Sequence, residues 1–229
     1  MKSIIASLTL FVVCATASLA IDSPPMFQTG SVSLGPYAGF TYGSVSLDPS
    51  TEGMSWATGI AAGLDARYYM CESFNLQLGL RYEQRASKQL ISSAFSTLNA
   101  SEIRNYLMFD ITSAWYFADM WDGGFRPRMY AGVFVGSFLS GTGTSSITVG
   151  GGSPQTTERK ITSDDVNALN WGPKVGIGFD LKLGPGALTF GLSYDYGMSN
   201  LTKTSTNETP TMTAYDRGLS AGLGYQIGL

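Results

Sequence analysis

Tyr215–Leu229 reads YDRGLSAGLGYQIGL, and its spacing decides the fold. Tyr215, Leu219, Ala221, Leu223, Tyr225, Ile227 and Leu229 occupy every second place or a multiple of it. Asp216, Gly218, Ser220, Gly222, Gly224, Gln226 and Gly228 fill the places between. Successive side chains of a strand point to opposite faces, so this alternation predicts one apolar face and one small, polar face.

Three further segments repeat the pattern. In Phe74–Arg85, Phe74, Leu76, Leu78, Leu80 and Tyr82 oppose Asn75, Gln77, Gly79, Arg81, Glu83 and Arg85. In Asn170–Leu183, Trp171, Val175, Ile177, Phe179 and Leu181 oppose Lys174, Asp180, Lys182 and three glycines. In Leu188–Met198, an apolar row from Leu188 to Met198 opposes Thr189, Gly191, Ser193, Asp195 and Gly197. Weaker alternation marks Val32–Tyr42, Ile60–Met70, Leu107–Phe117 and Arg126–Ser140, where Asp65, Arg67, Asp110 and Arg128 fall on the polar face. The total is eight strands, most of about 11 to 16 residues, against an ordinary mean of about 5 to 6.

The connections alternate too. Cys71-Glu72-Ser73 and Gly184-Pro185-Gly186 are tight turns, and Ala118–Phe125 is modest. Asp48–Gly53, Ser87–Ile103, Gly141–Ala168 and Asn200–Thr213 are read as longer polar loops. Within them Ser145–Val149 and Thr156–Ile161 suggest a hairpin above a membrane, and Gly141-Thr142-Gly143-Thr144 reads as linker. Short turns at one end and long loops at the other are the plan of an all-β, eight-stranded antiparallel transmembrane up-and-down β-barrel. A soluble ligand-binding barrel would carry Lys, Glu and Thr on its wet face, whereas here that face is glycine, serine and isolated charges. Phe74, Tyr82, Trp115, Phe117, Trp171, Tyr215 and Tyr225 lie near segment ends, as interfacial aromatic girdles do.

Composition agrees. Of 229 residues, 44% are apolar and 14% charged, against about 25% charged in soluble domains. Disorder is excluded by that apolar content. Fourteen Lys and Arg against 17 Asp and Glu leave no basic footprint for nucleic acid. Histidine is absent, so no Ser-His-Asp triad, Cys-His dyad or His-ligated metal site can be built. No cofactor is expected, and the chain is read as a non-enzyme. Calcium at Asp164-Asp165 is weighed against a solvated loop pair, and the bland reading is preferred.

Lys2, the apolar run Ile4–Val13 and small residues at Ala15–Ala17 and Ser18–Ala20 read as a signal peptide over residues 1–20. Residues 21–30 are then a short linker and 31–229 the barrel. Cys71 is the one cysteine left, so no internal disulfide is expected.

The sequences LQLGLRYE (Leu76–Glu83), YAGVFVGSFL (Tyr130–Leu139), VGIGFDLKLGPGAL (Val175–Leu188), GLSYDY (Gly191–Tyr196) and LSAGLGY (Leu219–Tyr225) resemble the PorT-like outer-membrane β-barrel family of Bacteroidetes. The resemblance covers the mature chain and implies a bacterial outer-membrane location, with outer-membrane lipid as surroundings. It further implies contact of the C-terminal strand with the barrel-assembly machinery. Such barrels usually finish on an aromatic residue, whereas this chain ends on Leu229.

The candidate site is an interior charge network of Asp65, Arg67, Arg81, Glu83, Arg85, Asp110, Arg128, Lys174, Asp180, Lys182, Asp195 and Asp216. Its signs balance, as buried charges must if they are to pair. The resulting expectation is a plugged, non-enzymatic barrel with a structural or interaction role through its long extracellular loops, where an unknown protein or surface ligand would dock. The resemblance adds a role accessory to protein secretion. The alternative is a narrow pore or small-solute transporter, for which a lining of one sign is the commoner device.

Overall fold

A computed structural model describes residues 28–48, 53–93, 95–117, 124–150, 152–202 and 213–229. Residues 1–20, read above as a signal peptide, and residues 21–27 of the expected linker lie outside the described residues, as do the connections at 49–52, 118–123 and 203–212.

Nine strands follow one another: β1 Val32–Asp48, β2 Met54–Cys71, β3 Phe74–Ser92, β4 Ser96–Tyr116, β5 Phe125–Val149, β6 Gln155–Ile161, β7 Leu169–Leu183, β8 Gly186–Tyr196 and β9 Thr213–Gly228. Every pairing is antiparallel, and β1 pairs with both β2 and β9, which closes the sheet. Eight strands form the ring, in the order β1-β2-β3-β4-β5-β7-β8-β9. The ninth, β6, pairs only with β5, over Gly141–Ile147.

The up-and-down, eight-stranded ring is therefore the one the alternation predicts, and β6 is the predicted hairpin arm. Closure matters because an open sheet edge in lipid would leave backbone groups without partners. The turn at Gly184-Pro185 is tight because Gly184 adopts φ 59, which a residue with a Cβ rarely takes.

Side chains sort as the sequence period demands, with the apolar set outside. Phe40 is 71% exposed, and Leu64, Leu80, Phe109, Val133, Ile177 and Leu223 stand exposed on six other strands. An apolar exterior of this kind is the reverse of a soluble protein and fits a lipid-facing band. Aromatic pairs mark its two borders. Phe74 meets Trp115 at 5.4 Å, and Phe125, Phe179 and Phe190 form a row at the short-turn end. Tyr42 stacks on Trp56 at 5.3 Å at the other end. Tyr225, predicted for a girdle, is instead buried, its hydroxyl donating to the Leu183 carbonyl at 2.8 Å.

Two expected loops are strand instead. β3 and β4 pair without interruption from Phe74↔Trp115 to Ser92↔Thr97, so most of Ser87–Ile103 is ladder. Likewise Gly141–Thr144, read as linker, is paired on one side with β4 and on the other with β6. Above the lipid neither face is forced to be apolar, so the period-two signal fades while Ser and Thr still pair well. The result is a lopsided barrel: β3, β4, β5 and β6 make a tall wall, and β7 and β8 a short one. β5 spans 25 residues, whereas crossing a bilayer takes about 9–11.

The inward face is packed tightly enough to explain its glycines. A Cβ on Gly79 would stand 2.7 Å from both carboxylate oxygens of Asp110. Gly143, above the membrane band, would meet nothing nearer than 3.7 Å. Gly79→Ala is therefore expected to destabilise the barrel by about 1–3 kcal/mol, and Gly143→Ala to leave stability within about 0.5 kcal/mol of the parent. Urea unfolding in lipid vesicles, followed by gel mobility without boiling, checks both.

Candidate functional site: the interior charge network

Eleven of the twelve residues assigned to the interior are buried there: Asp65, Arg67, Arg81, Glu83, Arg85, Asp110, Arg128, Lys174, Asp180, Asp195 and Asp216. Lys182 is the exception and is exposed. It shares the inward parity, but it is paired with Ala187 one step from the last rung of the β7–β8 ladder. A long lysine stem there reaches water past the end of the lumen. Two buried arginines were missed. Arg104 falls between the expected loop Ser87–Ile103 and the expected strand Leu107–Phe117, yet it has the same parity as Asp110 on β4. Arg126 has the parity of Arg128 on β5, and both are nearly inaccessible.

The network has three storeys. At the short-turn end Asp180 of β7 accepts from Arg67 Nη1 of β2 at 2.9 Å and from the Tyr116 hydroxyl of β4 at 2.7 Å. Arg128 adds an ion pair at 3.3 Å and donates to Gln77 Oε1 at 3.1 Å. Arg126 lies over the Tyr116 ring and donates to the Glu72 carbonyl. In the middle, Arg81 joins Asp65 at 2.7 Å and Asp110 at 3.3 Å, over the face of the Tyr37 ring. Lys174 lies 3.8 Å from Asp110 and 3.4 Å from Asp195. At the top Arg85 holds Glu83, Asp195 and Asp216 at 3.2, 2.5 and 3.0 Å. Asp216 also takes Arg104 at 3.3 Å and the Asn170 amide at 2.9 Å.

Geometry decides what this arrangement can do. Within the ring β2 stands opposite β7, β3 opposite β8, and β4 opposite β9. Arg67–Asp180, Arg85–Asp195 and Arg104–Asp216 are therefore bonds across the full width of the barrel, one in each of those three directions. Charged side chains meeting in mid-lumen fill it, as expected of eight strands. Among the described residues, the buried cations Arg67, Arg81, Arg85, Arg104, Arg126, Arg128 and Lys174 outnumber the buried acids by one. Among the described residues no group of three His, Cys, Asp or Glu side chains could hold a metal ion.

Beside the middle and top storeys lies an apolar cluster of Tyr106, Met108, Phe134, Phe138 and Ile161, with Tyr106 paired to Glu83 and Phe134 to Asp110. The connection after β6 is pinned beside it: Asp165 accepts from the Thr162 amide at 2.8 Å and hydroxyl at 2.9 Å. Those two bonds hold its carboxyl below the usual carboxylate range, with Arg159 at 3.7 Å adding to the effect, so it is ionised at neutral pH.

The chain belongs to the family described as outer membrane protein beta-barrel domain, which matches residues 22–203. It is accordingly a bacterial outer-membrane protein. Solved structures to which it is similar include Ail, the attachment invasion locus protein of Yersinia pestis, at 14% identity, covering 87% of this chain and 100% of that one with a TM-score of 0.36. Neisserial surface protein A follows at 14%, covering 85% and 96%, with a TM-score of 0.43. The N-terminal β-barrel domain of Pseudomonas aeruginosa OprF gives 10%, 87% and 98%, and 0.36. No curated protein matches the chain.

Asp180→Ala removes the carboxylate that Arg67, Arg128 and Tyr116 share, leaving buried cations without it. A loss of about 3–5 kcal/mol is expected, read as a shift of the urea midpoint in vesicles. Lys182→Ala, at the exposed position, should leave that midpoint in place.

Proposed function

We propose that the protein is a plugged, non-enzymatic outer-membrane barrel whose working surface is its long-hairpin end. The observation that carries this reading is the set of three ion pairs spanning the lumen in three different directions. A solute path through the barrel would have to separate buried charges from their partners, at several kcal/mol each. The short-turn end is assigned to the periplasm and the tall β3–β6 wall to the cell exterior, the usual arrangement of such barrels. Recognition on a rigid scaffold normally resides in such projecting segments, so a protein or surface ligand is assigned to that wall. Outer-membrane lipid surrounds the apolar band, and β9, with Leu223, Ile227 and Leu229 on its outer side, is the strand offered to the assembly machinery. The likeness of Leu76–Glu83, Val175–Leu188 and Leu219–Tyr225 to PorT-like barrels supports a finer assignment, an accessory of protein secretion.

Planar-bilayer recordings test the plug. The wild-type protein is expected to give no sustained conductance, while Arg85→Ala with Asp195→Ala, which empties one cross-lumen bond, should give intermittent openings. Steady ion conductance by the wild-type barrel would overturn the reading in favour of a narrow pore.

A further inference from the structure

Arg104 belongs to two structures at once. Below, its Nη2 lies 3.3 Å from Asp216 Oδ1. Above, it lines a cavity of about 270 Å³ at the long-hairpin end of the barrel. Asp216 is not its own: the other oxygen of that carboxylate takes Arg85 and Asn170. Arg104 is 2% exposed, and its Nε has no hydrogen-bond partner among the described residues. A buried guanidinium with an unused donor and a shared counter-ion is short of an acceptor.

The cavity wall says what kind of acceptor fits. Val45, Leu47, Leu201 and Ala214 line one side, with Ile161 and Val166 also in the wall. Val45, Leu201 and Ala214 pack on one another, and Ile161 joins the apolar layer of Tyr106 and Phe138. The other ionic groups in the wall are Lys88, Glu102, Arg159 and Asp165. Arg159 and Asp165 face each other at 3.7 Å, and Asp165 is further tied to Thr162. Glu102 and Asp165 disfavour any guest of high negative charge, whereas one negative charge would match the single surplus cation of the buried interior.

We propose that this cavity is a binding site for a small organic monoanion, a monocarboxylate with an apolar body. Its carboxylate takes the free face of the Arg104 guanidinium, and its apolar part lies against Val45, Leu201 and Ile161. Charge-assisted bonds to a desolvated guanidinium are among the stronger polar contacts a protein makes, and the apolar wall excludes ions that lack a hydrophobic part. The site resembles neither a pore mouth nor a catalytic cleft: it ends on the Arg104–Asp216–Arg85 chain.

The test uses the whole barrel in lipid nanodiscs and three probes: 3-phenylpropionate, its uncharged amide and inorganic phosphate. Calorimetry, with empty nanodiscs subtracted, is expected to show saturable one-to-one binding of the carboxylate. The amide and phosphate should each bind at least tenfold more weakly. Arg104→Gln should weaken the carboxylate at least tenfold, and Ala100→Phe, which fills the cavity from its wall without touching Arg104, should abolish binding. Unboiled gel mobility reports whether each variant folds, and if Arg104→Gln does not, Ala100→Phe decides. Equal affinity for acid and amide, phosphate binding as tight as the carboxylate, unchanged binding in a folded variant, or no saturable binding would each overturn the proposal.

Discussion

Among the described residues, thirteen acidic and basic side chains are buried in this barrel's lumen, and the lumen must solvate them itself. That constraint orders much of the rest. An isolated charge moved out of water costs several kcal/mol even after relaxation, so each ion needs a partner within reach. In a ring of eight strands the nearest partner is as often across the barrel as beside it. Arg67 reaches Asp180, Arg85 reaches Asp195 and Arg104 reaches Asp216 because the ring is narrow enough for an arginine to span it. Narrowness in turn requires small residues between the ions. Gly79 stands against the Asp110 carboxylate and Gly218 against the Arg85 guanidinium, 3.3 Å from where a Cβ would sit.

Aromatic rings complete what the carboxylates begin. Tyr37 lies under Arg81, Phe134 under Arg85 and Tyr130 under Arg128, with guanidinium carbons 4.4, 5.0 and 5.1 Å from the ring centres. A guanidinium is flat and weakly hydrated, so a ring can cover its face while its edge donates to carboxylates. The preference for arginine over lysine inside follows: six of the seven buried cations are arginines. The one lysine, Lys174, sits where Asp110 and Asp195 converge and a point charge suffices.

The sequence made the ring legible because lipid outside and ions inside impose opposite chemistry on alternate residues. Where both conditions hold, as in β9 or in Phe74–Arg85, the faces could be read residue by residue. Where the lipid ends, the reading blurred. Ser87–Ile103 and Gly141–Thr144 looked like loops because both faces there meet water, and hydrogen-bonded ladders leave no hydropathy signature. Arg104 lies just past the first of these segments and short of the expected strand Leu107–Phe117, although counting back in twos from Asp110 places it inside. Lys182 erred the other way: parity gives the face of a side chain but not its distance from the end of the lumen. Which acid meets which base could not be read at all, since opposite partners such as Arg67 and Asp180 are separated by 113 positions and are joined only by ring closure.

One irregularity links the charged interior to the exposed wall. The pairing of β4 with β5 steps from Tyr106↔Phe138 to Asn105↔Ser140, so Leu139 is an extra residue in β5. Such a bulge bends the strand and changes which residues face inward. Below it Phe134 and Phe138 point in; above it Leu139 and Ser140 are both exposed and Gly141 turns inward. At this same height β5 changes partner on its other edge, from β7, which ends its pairing at Ser137, to β6, which begins at Gly141. Phe138 fills the gap with a bond from its amide to the Ala168 carbonyl at 2.7 Å. Were the alternation regular through Leu139 and Ser140, the even-numbered positions would continue inward above Phe138, and Thr142 rather than Gly141 would face Ile161. Gly141 has no side chain to displace Ile161, whose Cβ lies 3.0 Å from where one would begin. The bulge therefore sets Ile161 over the lumen, and Ile161 both caps the charged interior and forms part of the wall of the cavity above Arg104.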